Sequence, residues 1–236
     1  MKQVIWSKGK SFTVDFWSNV FYKLRWWVPS RIILWLLRVP KHPAEGYNFF
    51  IEIFALANLL FSIGLLGIYS AFNIHWFDIH DIRYGWLVIL WGGSRVYEII
   101  VIKIYEVLFK PYIDEKLKRK EGKFKEEIVG VHGFTRFMIL TIYNYIEIIF
   151  WFALFYHNLD WMFETGKTCL NSFLISLNFS FFTMTTFGYS AIYPKETLGI
   201  ILTLIQSVIG LFMILLIFAR FISLLPPIRD LGEFKK

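Results

Sequence analysis

Three stretches of this chain run for more than twenty residues with hardly a charge. They are FFIEIFALANLLFSIGLLGIYSAF (Phe49–Phe72), FTRFMILTIYNYIEIIFWFALFY (Phe134–Tyr156) and LGIILTLIQSVIGLFMILLIFA (Leu198–Ala219). At roughly 1.5 Å per helical residue, each can cross about 30 Å of hydrocarbon. A fourth run, WLVILWGGSRVYEIIVIKIYEVLF (Trp86–Phe109), is long enough but carries Arg95, Glu98, Lys103 and Glu106. A fifth, CLNSFLISLNFSFF (Cys169–Phe182), is apolar but short, about 21 Å as a helix. It fits a half-helix that enters the membrane and turns back.

The basic residues orient these segments. Residues 1–46 hold eight Lys/Arg, residues 110–136 eight more, and the tail from Arg220 four. The opposite side holds only Arg83, Lys167 and Lys195. The positive-inside rule therefore places both termini in the cytoplasm, and four crossings return the chain to its starting side. The half-helix then dips in from outside. The expected organisation is a basic, aromatic interfacial arm (1–46), a two-helix membrane hairpin (47–110), a cytoplasmic loop (111–133), a unit of helix, half-helix, loop and final helix (134–222), and a short cytoplasmic tail (223–236). With 56% hydrophobic and 20% aromatic residues, the fold class is an all-α membrane protein. The first twenty residues lack an apolar core and a small-residue cleavage site, so no cleaved leader is expected. Cys169 stands alone, which excludes an intrachain disulfide and argues against a thiolate metal site.

Between the half-helix and the last span lies TMTTFGYSAIYP (Thr183–Pro194). A short helix entering from outside, then Thr-Thr-x-Gly-Tyr, then a final crossing helix is the order of a potassium-channel pore module, and residues 134–221 resemble that family. The resemblance covers the C-terminal two-fifths of the chain. It implies a homotetramer, one filter strand per chain, with rings of backbone carbonyls replacing the water that a potassium ion sheds. Thr186 would add its hydroxyl as the innermost ligand, and Phe187, Gly188, Tyr189 and Ser190 would offer carbonyls. Thr185 and Ala191 would support the filter at its two ends. Aiming every carbonyl at one axis requires positive φ at alternate residues, which glycine adopts without steric cost. The side chains of Phe187 and Tyr189 would then point away from the axis and pack against the pore helix.

This chain departs from the family pattern Gly-Tyr-Gly-Asp at Ser190 and Ala191. A left-handed Ser190 costs roughly 1–2 kcal/mol, and Ala191 lacks the carboxylate that ties the filter's outer end to the pore helix. Phe182 stands where some members keep an acidic partner. Potassium preference is the expected outcome, and a non-selective cation pore is its competitor. A non-conducting membrane adaptor whose filter-like loop has decayed is a third reading. A transporter is disfavoured by the absence of an inverted repeat, and an enzyme by the absence of a nucleophile, base and metal cluster.

On the last span, Gly210 reads either as a gating hinge or as a small residue for close helix packing. Thr203, Gln206 or Ser207, Gly210, Met213 or Ile214, and Ile217 recur at helical spacing. If that stripe faces the axis, Thr203, Gln206 and Ser207 line a water-filled cavity. LLPP (Leu224–Pro227) ends the helix, with no regulatory domain expected beyond it.

Arg95 and Glu98 are three apart, as are Lys103 and Glu106, so each pair can meet on one helix face. Glu98, Glu52 and Glu147 are the candidate partners of Arg95. A structural pair is favoured over voltage sensing, because no regular arginine repeat is present. In the arm, Trp26, Trp27 and Trp35 with Arg31 and Arg38 suit an anionic inner leaflet, in preference to nucleic acid. The loop IDEKLKRKEGKFKEE reads as a solvated helix and turn. His75 and His80 with Asp78 and Asp81 raise a remote prospect of an outer metal site. No cofactor is expected beyond the permeating potassium ion.

Overall fold

A computed structural model of the chain describes residues 12–30, 44–72, 82–109, 131–165, 170, 172–188 and 191–222, and the statements below concern these. The chain divides after Gly130 into two compact units, Met1–Gly130 and Val131–Lys236. Both are predominantly helical.

The first unit holds α1 (Phe12–Leu24), α2 (Ala44–Phe72) and α3 (Ile82–Ile104), the last running into a π-helical turn, Tyr105–Phe109. Asp15 in the first turn of α1 and Lys23 in its last complement the helix dipole. A short 3₁₀ turn, Arg25–Trp27, follows, and Val28 then turns extended ahead of Pro29, as a residue before proline must. The arm is not simply laid on lipid. Phe21 stacks on Phe109 at 5.2 Å, and the Arg25 guanidinium sits 4.3 Å over the Tyr105 ring. Val28 is fully buried, whereas Phe16, Trp17, Tyr22 and Trp27 are exposed. One side of the arm thus docks on the end of α3 and the other offers aromatics outward. Trp35, Arg31 and Arg38 lie outside the described residues, as do the side chain of Trp26, the loop 113–127 and the His75–Asp81 cluster.

Polar side chains within α2 are satisfied by their own helix. Asn58 Nδ2 donates to the Phe54 carbonyl at 2.8 Å and Ser62 Oγ to that of Leu59 at 2.8 Å. On α3, Arg95 is paired with Glu98 at 3.0 Å, both buried, and its guanidinium lies 4.9 Å over Phe54. The other Glu98 oxygen accepts from the Ser30 backbone N–H at 3.2 Å, tying the arm to α3. Lys103 reaches Glu106 at 3.4 Å. Glu52 is only half-buried.

The second unit holds α4 (Val131–Asn158), a 3₁₀ turn (Asp160–Met162), β1 (Phe163–Glu164), α5 (Phe173–Met184), β2 (Tyr193–Pro194) and α6 (Thr197–Ile222). The two strands form a small antiparallel ribbon, Phe163 opposite Pro194 and Glu164 opposite Tyr193. The ribbon is invisible in the sequence, because two residues cannot display a period of two. Helix α5, at 12 residues, is about 18 Å long, too short to span. It packs against both α4 and α6. Beneath the ribbon Tyr156, Phe163 and Phe179 meet edge to face, with centroids 4.7 to 5.5 Å apart. Glu147, buried in α4, accepts from Trp151 Nε1 at 3.3 Å.

Three helices are long and apolar enough to cross a membrane, within α2, α4 and α6. Along its described side chains α3 carries Arg95, Glu98 and Lys103, and its 23 residues reach about 34 Å.

Breaking one half of a buried ion pair strands a charge, at a cost of about 3–5 kcal/mol. Glu98→Leu is expected to destabilise the detergent-solubilised protein by that order, while Arg95→Met with Glu98→Leu recovers most of the loss. Thermal or denaturant unfolding of the three proteins checks it.

Candidate functional site

The site is the turn that leaves the C-terminus of α5. Helix α5 opens at Ser172, whose carbonyl accepts from Ile175 N–H at 3.1 Å and Ser176 N–H at 3.0 Å. It closes at Thr185, whose N–H bonds to Phe181 O at 3.0 Å. Two further bonds complete the ending: Thr186 N–H to Thr183 O at 3.2 Å and Phe187 N–H to Phe182 O at 3.1 Å. This pairing is a Schellman ending, and it needs a left-handed residue at Thr186. Thr186 has φ +60° and Gly188 φ +75°, with Phe187 between them. Positive φ at alternate residues is the geometry that a carbonyl-lined strand requires. Gly188 fits it because of its backbone and not because space is short: nothing lies within 4 Å of where a Cβ would stand.

Thr186 is the unexpected element. A β-branched residue at positive φ is a backbone outlier, costing about 1–3 kcal/mol. Sequence reasoning placed the strain at Ser190, which lies outside the described residues, as does Tyr189. Nothing in the composition of TTFGYS could have moved it to Thr186. Thr185 uses its hydroxyl on the helix end, donating to Phe181 O at 2.8 Å. Phe187 stands 78% exposed in the single chain.

Beyond the turn, Ala191 is exposed and Ile192 buried. Strand β2 then locks onto β1, and the Met162 carbonyl accepts from Lys195 N–H at 2.8 Å and Glu196 N–H at 3.2 Å. At the rim, a hydrogen bond to Glu164, with some desolvation and the carboxylate's charge, holds the Tyr193 phenol above its usual range.

Helix α6 corrects an expectation. Gln206 does not line a cavity: it is fully buried. Its Oε1 accepts from Tyr156 Oη at 2.6 Å, and its Nε2 donates to Ser180 O at 3.0 Å and Ser180 Oγ at 2.8 Å. Ser180 Oγ in turn donates to Ile149 O at 2.7 Å. A primary amide in an apolar setting is costly unless paired, and partners on two other helices won over water. Met213 is likewise buried, so the stripe containing Gln206, Gly210 and Met213 faces α4 and α5. Thr203 and Ser207, half-buried, return their hydroxyls to their own helix, to Ile200 O at 2.9 Å and Thr203 O at 2.9 Å. Ser207 also reaches Thr183 O at 3.4 Å.

Gly210 shows the close-packing reading directly. A Cβ there would fall 2.8 Å from the Met184 carbonyl carbon and nearer still to its oxygen. The inner helix can approach the end of α5 only because this position has no side chain.

Among the described residues, no cluster of three or more His, Cys, Asp or Glu could hold a metal. Residues 138–226 match the protein-family model described as "Ion channel". Comparison with curated proteins and with solved structures finds no match. The match covers the last helices and the turn between them, so this part of the chain is similar to ion-channel domains of the two-helix pore type found in potassium channels.

Gly210→Ala is expected to destabilise the solubilised protein by about 1–3 kcal/mol through overpacking. Gly64→Ala, where a Cβ meets nothing within 4 Å, is expected to leave stability unchanged or slightly raised. Melting curves of the two variants against wild type check the contrast.

Proposed function

We propose that the chain is a potassium-selective channel subunit, four copies of which surround a central pore and let potassium ions flow passively. The observation that carries this reading is the alternating positive φ at Thr186 and Gly188, immediately after a helix too short to span. The family match over residues 138–226 supports it. A ring of carbonyls around one ion needs four strands, and one chain contributes one strand. The uncovered surface is consistent with neighbours. Only 28% of the α6 span is buried within the chain, and Leu174, Phe181 and Phe187 beside the turn are exposed.

Thr186, Phe187, Gly188, Tyr189 and Ser190 are the proposed ion ligands, with potassium as the permeating ion and no catalysis or cofactor. The proposed topology has α2, α3, α4 and α6 crossing, α5 re-entrant from outside, and both termini in the cytoplasm of a plasma membrane, following the twenty-to-three bias of basic residues. The exposed aromatics of α1 would rest on an anionic inner leaflet. A second reading, a non-selective monovalent cation pore, is favoured by Ser190 and Ala191 in place of Gly-Asp.

Reversal potentials of the purified protein in planar bilayers, with potassium on one side and sodium on the other, separate the readings. The expected result is reversal near the potassium equilibrium potential. Reversal near zero with robust current means a general cation pore. No current, even after Ser190→Gly with Ala191→Asp, points to a non-conducting adaptor. Gly188→Ala is expected to abolish selective current, since alanine at that φ adds about 1–2 kcal/mol of strain in every subunit.

A further inference from the structure

Immediately below the filter turn, α6 touches α5 at three successive levels. Gln206 binds Ser180, Ser207 reaches Thr183 O, and Gly210 backs onto Met184. The last of these precedes Thr185, where the turn begins. The uppermost level is the one with chemical specificity. Tyr156, Ser180 and Gln206 are all buried, and their polar atoms form one continuous chain: Tyr156 Oη–H to Gln206 Oε1, Gln206 Nε2 to Ser180 O and Oγ, Ser180 Oγ–H to Ile149 O. This chain of bonds leaves the Gln206 amide one orientation. Flipped, it would set its oxygen against the Ser180 carbonyl and lose both donors. One side chain of α6 thus fixes the height and rotation of the pore helix against both neighbouring helices, without touching the ion path.

We propose that Gln206 is a positioning residue for the filter: by holding α5 between α4 and α6, it sets the spacing of the carbonyl ligands that begin at Thr186, and so the discrimination between potassium and sodium. The inference rests on the channel reading above. It follows from geometry. The difference between coordinating the two ions is a few tenths of an ångström in ring size, and the carbonyl ring can hold that tolerance only if the helix carrying it is fixed to its scaffold. Gly210 and Ser207 set the approach of the two helices. Gln206 alone adds a bond to the outer helix as well.

Five proteins test it: wild type, Gln206→Leu, Gln206→Glu, Tyr156→Phe and the double variant Gln206→Leu with Tyr156→Phe. Leucine fills the volume but cannot bond. A neutral glutamic acid keeps an acceptor for Tyr156 and one donor for Ser180. Tyr156→Phe removes a single hydroxyl, the one that bonds Gln206 and also touches Thr183 near the end of α5. Two readouts are taken: the potassium-to-sodium permeability ratio, and the rise in melting temperature on exchanging sodium for potassium in detergent. The second needs no open gate. Gln206→Leu is expected to lower the permeability ratio by about tenfold, the factor one lost buried hydrogen bond can carry. It is also expected to erase the potassium-specific rise. Tyr156→Phe shifts both in the same direction by less, and Gln206→Glu restores most of each. The double variant Gln206→Leu with Tyr156→Phe is no worse than Gln206→Leu alone, because both act through one network. A lower melting point in both salts, with ratio and potassium-specific rise intact, overturns the proposal and leaves Gln206 a structural residue. Should Gln206→Leu fail to fold, an unchanged ratio and rise in Tyr156→Phe overturns it equally. A wild-type protein with neither potassium-selective current nor a potassium-specific rise removes the channel reading itself.

Discussion

A peptide group inside a bilayer has no water to bond, so a chain that spans one must satisfy its backbone internally. Helices do this by themselves. A turn in the middle of a membrane does not, and on the channel reading the stretch after α5 is such a turn. The structure answers it locally with a Schellman ending, in which Thr186 and Phe187 return their N–H groups to Thr183 and Phe182. It then answers it tertiarily, by pressing α6 so close to Met184 that only glycine fits at 210. Left-handed backbone at Thr186 follows from the first device, and the burial of the Gln206 face follows from the second.

The same constraint sorts the polar side chains. Asn58, Ser62, Thr141 and Thr203 bond back to carbonyls three or four residues earlier and ask nothing of their neighbours. Such groups are satisfied in any packing, so they specify none. Two constellations are different. Arg95 with Glu98 and the Ser30 N–H joins the arm to α3, and Tyr156 with Gln206 and Ser180 joins three helices of the second unit. Each is satisfied in one arrangement only, and a misregistered helix would leave buried groups unpaired. In an interior otherwise made of interchangeable leucine, isoleucine and phenylalanine, these constellations hold most of the information about register.

That division also explains what could be read from the chain alone. The lengths of the apolar runs give α2, α4 and α6 to within a few residues, because span length is set by the bilayer and by nothing else in the fold. The i,i+3 spacing gives Arg95–Glu98, because both residues sit on one helix. The direction of Gln206 was not legible. Its helical period fits a cavity-lining stripe as well as a buried one, and the choice is made by Tyr156, fifty residues away, and by Ser180. Thr186 was not legible either, since its φ comes from the Schellman bonds of the preceding helix and runs against residue preference.

The outer end of the turn bears on how far the missing Gly-Asp pair matters. In the family pattern a carboxylate ties that end to the pore helix, and Ala191 cannot. This chain has a different restraint two residues on. Ile192 is buried, Tyr193 and Pro194 are paired with Glu164 and Phe163, and the Met162 carbonyl takes the N–H groups of Lys195 and Glu196. The strand that follows the turn is therefore held to the segment just after α4. A tie of this kind fixes where the strand exits but not how its last carbonyls are aimed. On the channel reading, the freedom that Ser190 and Ala191 introduce is confined to the outermost ligand ring, between Gly188 and Ile192. On the same reading the inner ligands, Thr186 to Gly188, would be governed by the α5–α6 contact beside them. Selectivity and the stability of the outer mouth then become separable properties, set by different helices.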